Sequence, residues 1–325
     1  MMQDHLLFTR LQSMGLAGMT FRPSYPDADT LCLAHDRAYV DGFLQGTLSP
    51  KEMRRIGLPW SQALVQRTLI GTGSAILAGR LALSYGLACM TNGGTHHAHR
   101  SHGSGWCILN DQAISARALQ RDAGVRRVAF IDLDVHQGDG TATIFNNDPD
   151  VFVFSMHCVA QSFPEASAPG AAGANRLLLS QPSLRSWGAQ PPMPKDVHPG
   201  LLQLQRSNLD VALAAGTGDE DYLSALRSHL PTVLEEFRPE VVFYNAGVDV
   251  HEEDSLGKLH LTTRGIFERD RTVFSECLAR GVPVAAAIGG GYCEDHSRLV
   301  DRHLMLHLAA REVLCGIPAG DLVPA

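Results

Sequence analysis

Cysteine is sparse and unpaired in pattern. Seven residues are spread over 325 positions, the number is odd, and no Cys-x-x-Cys occurs. A structural zinc ribbon and a disulfide framework both lack support, and a reducing compartment fits best. No apolar run approaches the roughly 20 residues of a membrane span. The opening residues, MMQDHLLFTRLQSMG, lack the apolar stretch and cleavage pattern of a secretory leader. No block of Lys or Arg exists, and the formal net charge is −7, so a nucleic-acid groove is not expected. The expectation is a cytoplasmic protein with neither membrane nor nucleic-acid partners, to which a basic peptide or cationic small molecule is not repelled. Oligomeric state is left open by these features.

What is present is a globular composition, 45% hydrophobic and 19% charged. Extended and helical patterns alternate. LACMT, VRRVAFID, VFVFSM, EVVFYNAG and VPVAAAIGGG read as strands, apolar throughout as parallel strands covered on both faces are. Helices are expected over 58–86, with Val65, Leu69, Ile76 and Leu83 on one face, and over 110–124, 216–238, 262–281 and about 297–314. This order predicts an α/β fold: an open, mostly parallel, doubly wound sheet flanked by helices on both faces. There is no internal repeat, and one domain over 1–325 is expected. A Pro-, Ala- and Gly-rich insertion at about 162–200, with seven prolines, interrupts it. That stretch reads as a disordered or loosely packed surface excursion, with a lid over the site as the sharper alternative.

In an open parallel sheet, ligands bind beyond the carboxyl ends of the strands. The residues just past each apolar run here are NGGTHHAHRSHGSGW, DLDVHQGDG, MHC, NAGVDVHEED and GGGY. Five strand ends thus carry His, Asp, Tyr and Gly, whereas the opposite ends begin with ordinary turn residues such as FRPE and ARGVP. A metal explains this best. Asp132, Asp134 and His136 have period-two spacing and share a side while the chain stays extended. Two carboxylates and an imidazole neutralise a divalent zinc ion and leave room for water. Asp249 lies on the same edge, and His96 and His97 could be ligands instead. Gly93 and Gly94 allow a turn from which both histidines aim together. Beside Asp132 and Asp139 the histidines become candidates for two His–Asp dyads. His35, His198, His229, His303 and His307 read as surface or packing residues, and His99 and His102 as rim positions.

GGTHHAHRSHGSGWCILND, IDLDVHQGDG, VFVFSMHC, YNAGVDV and IGGGY, in this order and spacing, resemble the histone deacetylase superfamily. That superfamily includes acetoin-utilisation proteins and acetylpolyamine amidohydrolases. GTHHA, DVHQGDGTA, FSMHC and GTGDEDYL look most like its class IV branch. The likeness runs from about Leu31 to Val313, the proline-rich stretch apart. It implies an arginase-like three-layer fold and one zinc per chain held by Asp134, His136 and Asp249; Fe²⁺ suits the same ligands. It further implies His97 as general base and acid with Asp139 as partner, and His96 with Asp132 as an electrostatic pair. Tyr292 would polarise the amide carbonyl, and Gly105, Trp106, Phe163, Gly290 and Gly291 would surround the substrate. A structural monovalent cation, K⁺, would sit at Asp132, Asp134, His136, Ser155 and Met156. The implied activity is hydrolysis of an acetyl or longer fatty acyl group from lysine side chains of a protein or peptide.

Two departures from the family pattern stand out. A segment of the type HP…FP..K does not precede LLFTRLQSMGLAG, which implies a sheet without that edge strand and a pocket without that rim. The insertion stands where class IV relatives pass in about a dozen residues from SMHC to the equivalent of SNLDVAL, leaving Phe163 as the sole aromatic of that channel wall. Three other activities compete: an acetylpolyamine or other acyl-amine amidohydrolase, a binuclear manganese ureohydrolase, and a non-catalytic acyl-lysine binding protein. The second needs more bridging carboxylates than DLDVHQGD and Asp249 supply, and the third is disfavoured by the intact His, Asp and Tyr set.

Overall fold

The computed structural model describes residues 2–18, 20–159 and 207–324. Phe163 and the insertion at 162–200 lie outside the described residues. Strands β1 (Leu87–Cys89), β2 (Val128–Asp132), β3 (Val151–Cys158), β4 (Leu209–Leu213), β5 (Val241–Asn245) and β6 (Val284–Ala287) form one sheet in the order β1-β6-β5-β2-β3-β4. Every neighbouring pair is parallel. From β2 the chain winds outward through β3 to β4, then returns to place β5 on the other side of β2. The switch point therefore lies between β2 and β5, where an open sheet leaves a crevice at its carboxyl edge.

Alternation along the strands splits the core in two. Ala129, Ile131, Phe152, Phe154, Val242 and Tyr244 face one apolar cluster, and Val128, Phe130, Val151, Val153, Val241 and Phe243 face the other. The first is closed by α8 (Asp219–Phe237), α9 (Thr263–Ala279) and α10 (His296–Cys315), with α1 (Met2–Ser13) against α10. The second is closed by α3 (Arg37–Gln45), α5 (Gln62–Tyr85) and α6 (Asp111–Asp122). Helix caps follow local chemistry: Ser61 accepts from Leu64 N, Asn110 from Ala113 N, and Asp295 from Ser297 N and Arg298 N.

Several features differ from the sequence reading, among them β4, which none of the five expected strands covers. Helices α1 to α4 were not expected, although Ser49-Pro50-Lys51-Glu52 is a complete capping box opening α4 (Pro50–Ile56), and α2 (Ala28–Leu31) starts on an Asp27 cap. On α5, Val65 and Ile76 are buried but Leu83 is exposed, and Leu69 is only partly covered. The buried stripe is instead Thr72, Ala75, Ala78, Gly79 and Ala82. Small residues let α6 approach so closely that Ser115 Oγ reaches Ala75 O at 2.8 Å. A Cβ on Gly79 would stand 2.9 Å from Ser115 Oγ and 3.0 Å from Leu119 Cδ1.

Candidate active site

Past the end of β2 the backbone carries Asp134 and His136 into the crevice, and past β5 it carries Asp249. One ligand atom from each lies within 4.8 Å of the others, and all three residues are buried. His136 Nδ1 stands 3.1 Å from Asp134 Oδ1 and 3.2 Å from Asp249 Oδ2. The remaining oxygens are pinned by main-chain donors: Gly290 N to Asp134 Oδ2 at 2.9 Å and Val135 N to Asp249 Oδ1 at 2.9 Å. Only glycine fits at 290, where a Cβ would stand 2.5 Å from Asp249 Oδ2.

These residues fit a divalent metal. Asp249 Oδ2 is buried and accepts no hydrogen bond among the described residues. Ligands about 2.0 Å from a tetrahedral ion stand roughly 3.3 Å apart, close to the spacing of the His136 nitrogen from the two carboxylates. Charge points the same way. Burial works against a charge on His136, yet Asp134 and Asp249 outweigh it and lift its pKa to about 10. Burial, with Asp134 beside it, raises Asp249 to about 7. Two carboxylates and an imidazole this close hold a proton between them unless a cation replaces it.

Two histidines arrive from the loop after β1. Gly93 and Gly94 take φ of 89° and 86°, and Asp111 Oδ2 and Oδ1 accept from Gly94 N and Thr95 N at 3.0 and 3.1 Å, which folds the loop onto the head of α6. The rings of His96 and His97 come to lie 4.0 Å apart, so adjacent side chains do aim into one site. His96 Nδ1 is 2.7 Å from Asp132 Oδ2, and His97 Nδ1 is 2.7 Å from Asp139 Oδ1. Asp139 opens α7 (Asp139–Ile144). The two rings are driven apart in basicity. For His96 burial is outweighed by Asp132 and Asp134, and its pKa rises to about 9. For His97 burial dominates, the neighbouring His96 adds to it, and its pKa falls to about 4. Asp139 is itself held far below the usual carboxylate range: burial opposes the charge, but hydrogen bonds from His97 and His99 overcome it.

Tyr292 comes from the loop after β6. Its ring meets the His136 ring edge-on at 6.4 Å and lies 5.4 Å from Trp106, which is 44% exposed. Burial, then Asp249 and Asp134, push its phenol upward and keep it protonated. A cavity of about 900 Å³ joins these groups, with His96, His97, Asp134, Trp106, Gly290 and Tyr292 on its wall. Gly105 and Gly291 also line it. Ser155 and Met156 lie on β3, Ser155 in register with Asp132 of β2, and Ser155 Oγ is 3.0 Å from His157 Nδ1.

Three supporting elements are absent from the sequence reading. Asn245 Nδ2 donates to Asp132 Oδ1 at 3.0 Å. Asp254 Oδ2 accepts from Tyr292 N at 2.7 Å and so anchors the tyrosine loop. Arg269, fully buried on α9, donates to Gly247 O at 2.6 Å, to Ala246 O at 3.2 Å and to Leu133 O at 3.3 Å, tying together the two strand ends that lead to Asp134 and Asp249. Its counterion Asp270 lies at 2.8 Å and accepts from Tyr244 Oη at 2.5 Å. A signal existed: Asp270 falls in the buried stripe of Ile266, Val273 and Cys277, where an unpaired charge would be costly. His99, expected at the rim, has its Nε2 3.5 Å from Asp139 Oδ2. His35 and His303 are indeed packing residues, each 1% exposed.

Comparison with known proteins agrees with this geometry. The family model described as histone deacetylase domain matches residues 3–307. An uncharacterised protein of Picosynechococcus sp. is 47% identical over 293 residues, covering 90% of this chain and 85% of that protein. Histone deacetylase 2 of Arabidopsis thaliana is 28% identical over 229 residues, and a probable deacetylase of Archaeoglobus fulgidus 29% over 233, each covering 70% of this chain. The chain spans only 50% and 56% of the length of those two relatives. The crystal structure of the HDA15 HD domain superimposes with a TM-score of 0.69 at 19% identity, over 98% of this chain and 83% of that one. Its fold is thus the α/β architecture of the arginase and deacetylase type. A match that runs from α1 well into α10 leaves no part of the site outside it: this chain belongs to the histone deacetylase family.

Proposed function

We propose that this chain is a zinc-dependent amide hydrolase that removes acyl groups from lysine side chains. The observation that carries the reading is a cavity lined by Asp134, His96, His97 and Tyr292, at which the Asp134–His136–Asp249 cluster meets two His–Asp dyads and a protonated tyrosine. Bound zinc would supply a Lewis acid and lower the pKa of water at the site. His97 is neutral, and its Nδ1 is committed to Asp139, which leaves Nε2 to take the proton released as water attacks. His96 carries positive charge against Asp132 and steadies the negative charge that develops. The Tyr292 hydroxyl donates to the oxyanion, and Trp106 beside it covers the acyl-lysine stem. A histidine then returns a proton to the departing amine. A structural K⁺ at Asp132, Asp134, His136, Ser155 and Met156 is part of the proposal, supported by the β2–β3 register that sets Asp132 beside Ser155. So is a single catalytic domain, supported by two cores built on one sheet.

The test is a panel of acetyl-, decanoyl- and myristoyl-lysine peptides beside acetylated polyamines, assayed on metal-stripped and zinc- or Fe²⁺-reloaded protein, with metal analysis. One metal per chain is expected, and turnover that disappears on chelation and returns on reloading. Absence of turnover on every acyl amide by the loaded protein would reject the hydrolase. Turnover confined to polyamines would reject the lysine substrate, and two metals per chain would favour ureohydrolase chemistry.

A further inference from the structure

A second cavity, of about 560 Å³, lies between α1, α10 and the turn that follows α10, and no residue lines both it and the cavity at the metal cluster. Two arginines one helical turn apart on α10 line it. Arg298 Nη2 donates to both oxygens of Glu253, and Arg302 Nη2 donates to Glu253 Oε2 at 2.9 Å. Two guanidinium groups thus share one carboxylate, and one positive charge is left over. Arg302 is 2% exposed, yet its Nη1 is buried and meets no acceptor among the described residues. A buried donor without an acceptor is costly, and a guanidinium cannot shed its proton to escape.

Thr263, the first residue of α9, lines the same cavity and adds a donor. Glu253 N donates to His251 Nδ1 at 3.0 Å, so that nitrogen is bare and the ring proton sits on Nε2. Nε2 stands 3.1 Å from Thr263 Oγ1 and donates to it, which frees the threonine hydroxyl proton for another acceptor. Of the remaining charges, Arg10 and Asp301 pair at 2.7 Å, and Asp321 is exposed. The rest of the wall is apolar: Met14, Leu304, Met305, Leu322 and Pro324. Donors and a surplus positive charge call for an anion, and the apolar wall calls for one with a hydrocarbon body. A polyanion would be repelled by Glu253, Asp301 and Asp321, whereas a single negative charge matches the one left over.

We infer that this cavity binds a monocarboxylate with an apolar body, of the medium-chain fatty acid type, its carboxylate on Arg302, Arg298 and Thr263 and its chain along Met14, Leu304, Met305 and Leu322. The guanidinium fork suits a carboxylate, which takes two parallel hydrogen bonds from it. A metal cation finds no use for groups that only donate. The inference is independent of the hydrolase reading above.

The test is a titration of the full chain, labelled with carbon-13 at the methionine methyls, with octanoate, acetate, octanol and inorganic phosphate. Octanoate is expected to move the Met14 and Met305 signals saturably. Acetate lacks the body and octanol the charge, and each is expected to bind about tenfold more weakly or worse. The Arg298 side chain is 55% exposed and Leu322 is 44% exposed, so Arg298→Gln and Leu322→Glu leave the fold intact, which unchanged melting temperatures verify. Each is expected to weaken octanoate by about tenfold. A carboxylate that enters only the cavity at the metal cluster leaves Met14 and Met305 unmoved, and that result overturns the inference. So does octanol binding as tightly as octanoate, phosphate binding more tightly, or an unchanged affinity in both variants.

Discussion

Tyr292 and His97 line the cavity beside Asp134 without belonging to the Asp134–His136–Asp249 cluster. Tyr292→Phe removes one donor and leaves the ring packed on Trp106, while His97→Ala removes the proposed proton acceptor. Each is expected to cut kcat by on the order of 10² or more, with metal content and far-ultraviolet circular dichroism unchanged. Wild-type turnover in either variant would end the role given to that residue. A second residue-scale expectation concerns His35. Its Nδ1 lies 2.9 Å from His99 O and its Nε2 accepts from Asn110 N at 2.9 Å, so two backbone groups demand one neutral tautomer. Burial depresses its pKa to about 4 from 6.5. The folded state thus binds fewer protons than the unfolded state between these values. The stability tied to His35 is complete above pH 6.5 and is lost as pH falls toward 4, by up to about 3 kcal/mol. Urea titrations across this range are expected to show a smaller loss in His35→Gln than in the wild type; equal slopes would refute it.

At the level of elements, α9 does more than cover the sheet. Arg269 reaches the carbonyls of Leu133, Ala246 and Gly247, and Asp270 neutralises it with no exposed surface on either side chain. Removing one partner leaves a buried charge. Arg269→Met is expected to cost about 3–5 kcal/mol, and Arg269→Met combined with Asp270→Leu to recover a good part of it. Urea unfolding of the metal-free proteins measures both, and a double variant no better than the single one would contradict the account. The contrast between α9 and α5 shows where pattern reading works. In α9 the apolar repeat Ile266, Val273, Cys277 matches the buried face. In α5 the large apolar residues mislead, because close packing against α6 selects Ala75, Ala78, Gly79 and Ala82, and Leu83 is left outside.

For the whole molecule, the parallel sheet explains why the site could be read so far. Strands covered on both faces are apolar for most of their length, so Asp134, His136, Asp249 and Tyr292 stand out immediately past the apolar runs. Strand order is not written locally, and neither is the contact of His99 with Asp139, which depends on how the loop after β1 folds onto α7. Ligand linkage is also a property of the whole chain. On the proposed function, zinc would bind the folded cluster and not the dispersed residues, so adding it to chelated protein is expected to raise the melting temperature by several degrees. At a free concentration 100 times Kd the gain is about 2.7 kcal/mol. Asp249→Asn is expected to remove most of that shift in a thermal melt, and a full shift in the variant would exclude Asp249 from the site.

The adjacency of β2 and β5 carries one more consequence. Val135 and Asp249, whose hydrogen bond steadies the cluster, are 114 positions apart in the chain. No segment shorter than that can bring the two carboxylates together, so the ion cannot act as a nucleus for folding in the way it does in small zinc modules. The pairing of β2 with β5 is a long-range step of high contact order, and such steps form late. On the proposed function, the rate at which a refolding chain would capture metal is then a clock for the closing of the sheet.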